Sequence, residues 1–237
     1  MSGMLVIGKA SGDTRLFLTL EWIIAGARVG GKADFWVLFR IRNKKARNME
    51  KLRIIVGVSG ASGSVYGHRL LQRLHERPDV EIHLIMTRAA ERTAFLEMDK
   101  LAADFKALAH FTYPQEDIGA ALASGSFRTD AMVVAPCSIQ SMSAIALGLS
   151  NNLLVRAADV MLKERRKLIL MVRETPFHLG HLRTMVQLAE MGAIVAPPIP
   201  GFYHKPQSVM DLVDHSVERI MDLLGLPLEG ASRWQGK

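Results

Sequence analysis

From residue 53 onward the chain alternates short apolar runs with stretches of helical spacing, and few folds accept that alternation. "RIIVGV" (53–58), "VEIHLIM" (80–86), "DAMVVAP" (130–136), "KLILMV" (167–172) and "AIVAP" (193–197) read as buried strands. Pro136 ends the third, and Pro197 with Pro198 stops the fifth. Between them, "SVYGHRLLQRLHE" (64–76) sets Val65, Leu70, Leu71 and Leu74 at helical spacing, and residues 89–109 read as one or two helices. "SMSAIALG" (141–148), a stretch from about Asn151 through Arg165, and "HLGHLRTMVQLAEMG" (178–192) with its Gly192 stop supply three more. Residues 206–225 form a long amphipathic helix with Pro206 in the first turn, where proline is tolerated. Strands alternating with helices predict an α/β fold, a three-layer sandwich around a parallel sheet.

Bulk properties exclude other classes. No apolar run reaches the roughly 18 residues of a membrane span; the nearest, residues 16–27, is short and carries Glu21. The single cysteine, Cys137, rules out an internal disulfide and suits a reducing compartment, so a cytoplasmic location is expected. The net charge of +7 is unevenly held: residues 1–50 contain nine Lys/Arg and four Asp/Glu and supply +5 of it. "RIRNKKARN" (40–48) reads as a solvated basic tail rather than a nucleic-acid or lipid site. Residues 1–48 are therefore expected to be a disordered extension, or sequence upstream of a start at Met49. Residues 49–237 form the domain.

The chemistry-bearing motifs follow the strands. "GVSGASGSVYG" (57–67) spaces glycines as Gly57-x-x-Gly60-x-x-Gly63, which matches neither the dinucleotide fingerprint nor a Walker loop. It still offers backbone amides at a helix start, a cradle for phosphate or a flavin edge, or simply a tight turn. "APCSIQS" (135–141) gives a second cradle, where Ser138 and Ser141 cap a helix or bond a ligand. Cys137 has no neighbouring histidine to activate it. Arg156 and Lys163 lie two turns apart on one helix face, with Asp159 between them. They serve either a salt-bridged surface or a phosphate clamp. "KERRKLILMVRETPFH" (163–178) places a cationic cluster before a strand and the Arg173–Glu174 pair after it. We read these as two halves of one site handling an anion and a proton, with Arg166 and Lys167 plainly solvated. Tyr203 sits in a proline-bracketed loop, Arg219 on the last helix, and Trp234 in a polar tail. His178-x-x-His181 alone is too little for a metal site.

Together "VGVSGASGSVYG", "TRAAERTAFLE", "APCS", "NNLLVRAADVMLKERR", "VRETPFHLGHL", "PPIPGFYHKPQS" and "RWQG" closely resemble the flavin prenyltransferases, the UbiX group, over residues 52–236. The resemblance implies a flavodoxin-like or Rossmann-like fold and a homo-oligomer, a dodecamer, with active sites between subunits. It implies that reduced FMN reacts with dimethylallyl phosphate, without metal, to give prenylated FMN joined at N5 and C6. That product is the cofactor of UbiD-type decarboxylases, so the chain would have no nucleic-acid partner. By the same resemblance Gly60, Ala61, Ser62, Thr87, Ser138, Ile139, Gln140, Ser141 and Arg173 bind flavin. Arg156, Lys163, Tyr203 and Arg219 bind the prenyl phosphate. Ser62, Glu97 and Glu174 serve proton chemistry, and Trp234 covers the pocket. Thr87 and Ser141 replace the family's usual Ser and Thr, keeping the hydroxyls. Two rivals stand beside this: a flavin-dependent decarboxylase acting on a cysteine, and a flavin carrier without transferase activity.

Overall fold

Side-chain caps at Thr87, Ser138 and Ser208 mark where the chain turns into a helix after a strand or the loop that follows it. The computed structural model describes residues 51–228 with Gly230 and Gly236, within a compact unit spanning Glu50–Lys237. The readings of residues 1–48 and of Trp234 fall outside the described residues. Leu52–Val58 (β1), Val80–Met86 (β2), Phe111–Tyr113 (β3), Ala131–Cys137 (β4), Lys167–Val172 (β5) and Ile194–Val195 (β6) form a six-stranded sheet. Every pairing is parallel and the order is β3-β2-β1-β4-β5-β6. The order reverses between β1 and β4, and in such sheets the crevice outside the carboxyl ends at the reversal is where ligands bind.

Helices Ser64–His75 (α1), Arg88–Met98 (α2), Ala102–Lys106 (α3) and Val209–Leu224 (α7) cover one face. There Leu70, Leu71 and Leu74 of α1 pack with Val56, Val58, Val217 and Met221. Ile139–Ala146 (α4), Leu153–Lys163 (α5) and Leu179–Glu190 (α6) cover the other, where Met142, Leu154 and Ala158 meet Met132, Val134 and Leu170. Apolar residues thus point to both faces of the central strands, as a sheet covered on both sides requires. Gly67 lets α1 approach closely: a Cβ there would lie 2.2 Å from the Ala135 carbonyl oxygen.

Several expectations are corrected. The edge strand β3 was not foreseen, because three half-exposed residues carry no periodicity. Pro136 does not end β4 but lies inside it, at an irregularity between Val134 and Cys137; a bulge is where a strand tolerates proline. The fifth expected strand shrinks to Ile194–Val195. Residues 89–109 divide into α2 and α3 where Asp99 turns left-handed at φ 51°. Arg166 is not solvated: its side chain is 17% exposed and bonds the Gly125 and Phe127 carbonyls at 2.6 and 2.9 Å.

Candidate active site

The loops after β1, β2 and β4 converge on one cleft of about 340 Å³. Gly60, Thr87, Ser138, Gln140 and Ser141 line it, five of the residues singled out for flavin. Four of them, Gly60, Thr87, Ser138 and Ser141, are fixed by local structure. Thr87 caps α2, its Oγ1 accepting the Ala90 N–H at 3.1 Å. Ser138 caps α4, its Oγ accepting the Ser141 N–H at 3.2 Å while its hydroxyl donates to Ser141 Oγ at 3.1 Å. The capping and lining roles therefore coexist. Gly60 is required by packing, since a Cβ would fall 2.4 Å from that of Ala89.

Sequence reasoning missed the opposite wall. Gln115 holds it in place: its Oε1 accepts the Arg88 N–H at 3.3 Å and its carbonyl accepts the Leu153 N–H at 2.7 Å. Asn151, Asn152 and Val155 complete that side. The only cue was the cap signal of Asn152, which accepts the Val155 N–H at 3.0 Å. The lining is polar and amide-rich, and the volume lies within the roughly 300–1,000 Å³ of small-molecule sites.

Glu97 makes an unforeseen contact. Its carboxylate accepts the Gly63 N–H at 3.0 Å and the Ser64 N–H at 2.9 Å, so it occupies the amide cradle at the start of α1. Partial burial would raise its pKa, but bonds from the Ser62 hydroxyl and these amides outweigh that and hold the carboxyl below its usual range. It is ionised at neutral pH.

Arg156 sits on α5, donating to the Ala123 carbonyl at 3.2 Å and pairing with Asp159 at 2.7 Å. Lys163 ends the same helix and pairs with Glu164. Tyr203 Oη meets His215 Nε2 at 3.0 Å, and His215 stacks on His204 with centroids 4.5 Å apart. Arg219 is exposed on α7, one turn beyond His215. Arg173 and Glu174 follow the carboxyl end of β5. The Arg173 N–H donates to the Cys137 carbonyl at 3.1 Å, and Glu174 Oε1 accepts the Thr175 N–H at 2.9 Å. Burial raises the Tyr66 phenol pKa, and the nearby Arg173 charge opposes that rise.

These groups do not all meet within one protomer. Lys163 lies before β5 and Glu174 after it, so the length of the strand lies between them. Cys137 is fully buried and its thiol is pushed up to about 12 by burial, which excludes a thiolate nucleophile. His178 caps α6 through the His181 N–H at 3.3 Å. Among the described residues no cluster of three or more His, Cys, Asp or Glu could hold a metal ion, and no helix is long and apolar enough to cross a membrane.

Known proteins resemble this chain in sequence and fold. The flavoprotein family matches residues 42–221. The flavin prenyltransferase UbiX of Escherichia coli, in strains K12 and O157:H7, is 52% identical over 186 residues, covering 78% of this chain and 98% of its own. Among solved structures, a dodecameric FMN-dependent UbiX-like decarboxylase from Escherichia coli O157:H7 superposes with TM-score 0.77 at 46% identity, over 78% of this chain and all of its own. AnUbiX (PadA1), in complex with FMN and dimethylallyl pyrophosphate, gives TM-score 0.77 at 42% identity, over 79% and 100%.

Proposed function

The chain belongs to the flavoprotein family and, within it, to the flavin prenyltransferases, and from that premise we propose which residues carry the reaction. The cleft at the β1/β4 reversal takes FMN, and the observation that carries this is the convergence of Gly60, Thr87, Ser138, Gln140 and Ser141 on it. Ala61, Ser62 and Ile139 stand in the same two loops, and Arg173 contributes its charge from the end of β5. Reduced FMN supplies a nucleophilic nitrogen and an adjacent aromatic carbon. The second substrate is dimethylallyl phosphate and the product prenylated FMN, for a UbiD-type decarboxylase.

Allylic transfer requires that the departing phosphate be neutralised. Lys163 supplies a point charge and Arg156 a planar fork, with Tyr203 and Arg219 completing the phosphate site. Trp234, outside the described residues, is assigned by the family resemblance to stabilise positive charge on the prenyl group. Because the length of β5 separates Lys163 from Glu174, the active site is composite, with Lys163 entering from a neighbouring copy. A dodecamer like that of the Escherichia coli neighbour supports this reading.

Glu174 carries the proton. It sits at a strand end, held by rigid structure, as acid/base work demands. Glu97 is ionised, so it accepts rather than donates, with Ser62 bonded to it as the relay or orienting hydroxyl. The buried thiol of Cys137 suits a reducing compartment, the cytoplasm. Residues 1–48 are dispensable in this reading: their deletion leaves assembly and turnover unchanged, and loss of either would assign them a structural role.

Anaerobic titration with reduced FMN, with and without dimethylallyl phosphate, tests the assignment. Expected is saturable FMN binding that Ser138→Ala or Arg173→Ala weakens. Unaltered binding in both variants would move the flavin elsewhere.

A further inference from the structure

The β1–β4 ladder runs in register from Ile54↔Ala131 to Gly57↔Val134 and then stops. On its other side β4 loses register with β5 between Val134 and Cys137. At this point Pro136 has no N–H to offer, and the Pro136 carbonyl and the Ser138 N–H lie outside both ladders. Ser59, fully buried, meets both. Its hydroxyl donates to the Pro136 carbonyl at 2.9 Å and accepts the Ser138 N–H at 2.7 Å, and its own N–H donates to the Pro136 carbonyl at 3.2 Å. One side chain thus spans the gap where the two strands part. The parting opens into the crevice: Gly60, next to Ser59, and Ser138, the cap of α4, both line it.

We propose that Ser59 is a positioning residue for the flavin cleft, its hydroxyl setting the spacing between the Gly60–Ser62 loop and the Ser138–Ser141 loop. The proposal rests on the flavin reading of this cleft. Ser59 touches no ligand; it acts through Ser138, whose backbone it holds and whose side chain then caps α4. Without the hydroxyl, the Ser138 N–H has no buried acceptor. The loop must shift to find one, and the crevice loses its match to a planar ring. Displacements of that order are enough to weaken binding strongly.

The test is FMN titration of purified Ser59→Ala, paired with melting curves with and without FMN. A ligand at free concentration L that binds only the fold raises stability by RT ln(1 + L/Kd), so the FMN-induced rise in Tm reports affinity separately from the stability of the flavin-free protein. Expected is an FMN Kd raised about tenfold to hundredfold, a smaller FMN-induced rise in Tm, and a shifted absorbance band of the bound flavin. The KM for dimethylallyl phosphate at saturating FMN should stay near wild type. Ser59→Cys, which fills the site with a weaker donor, should fall between wild type and Ser59→Ala, and it decides the matter if the alanine variant does not fold. A lower Tm with unchanged FMN affinity in either variant would make Ser59 merely structural and overturn the proposal. Absence of FMN binding by the wild-type protein would overturn the flavin reading as well, so the two failures are distinguishable.

Discussion

Lys163 and Glu174 stand at opposite ends of β5, Lys163 closing the helix that precedes it and Glu174 following the strand. The six-residue strand between them, rising about 3.3 Å per residue, is itself roughly 20 Å long. If both serve one reaction, they come from different copies. Lys163→Ala and Glu174→Gln proteins, each strongly impaired at low dimethylallyl phosphate, should then restore activity at that concentration when dissociated and reassembled together. Random mixing leaves about a quarter of the sites with both native groups. No recovery in demonstrably mixed oligomers would contradict a composite site.

Lys163→Ala should also separate the two substrates. A charge-assisted phosphate contact contributes about 1.5–3 kcal/mol, so the KM for dimethylallyl phosphate should rise about tenfold to a hundredfold. FMN affinity should be unchanged. An equal loss for both ligands would place Lys163 elsewhere.

Glu97 ties α2 to the start of α1. Glu97→Ala leaves the Gly63 and Ser64 N–H groups without this acceptor, and loss of such a cap costs about 0.5–2 kcal/mol. Glu97→Gln keeps an acceptor oxygen and should recover part of the stability but not the charge. Denaturation midpoints equal to wild type in both would show that the contact contributes nothing.

Acid should destabilise the protein in two stages. Burial lowers the pKa of His68, His83, His110 and His215, so below about pH 6.5 the unfolded chain takes up protons that the fold refuses. His83 shows why. It is enclosed, stacked on Phe111, with Nδ1 at 3.0 Å from Tyr113 Oη and Nε2 at 3.0 Å from Glu81. Stability therefore falls as pH drops from about 6.5 toward the lowered values. A second loss follows below about pH 4, when Asp214, held low chiefly by its bond from Arg69, protonates. Denaturant midpoints from pH 3 to 8 check both stages. A midpoint that rose on acidification would contradict the histidine assignment.

The loop after β4 was legible in sequence because strand, cap and helix signals run consecutively there, as at Ser138; Thr87 entered only through the family resemblance, and its capping of α2 was not read. The Gln115 wall was not, because β3 is too short to announce the loop that carries it. The cap by Glu97 was hidden for another reason: it bridges more than thirty positions, from Gly63 to Glu97, and no local pattern marks such a bond. "KERRKLILMVRETPFH" places its two flanks at opposite ends of β5 within one copy, so the single site read from it needs a second copy. Arg166 reads as one more surface cation beside Lys163, yet it holds the 125–129 loop from beneath.

The central claim is prenyl transfer to flavin, and the mass of the flavin decides it. The wild-type protein is incubated anaerobically with reduced FMN and dimethylallyl phosphate, and the released flavin is weighed by mass spectrometry. The account predicts a flavin heavier by one five-carbon unit, with Glu174→Gln still binding both substrates but forming mature product about a hundredfold more slowly. Recovery of unmodified FMN from the wild-type protein with both substrates bound would contradict it.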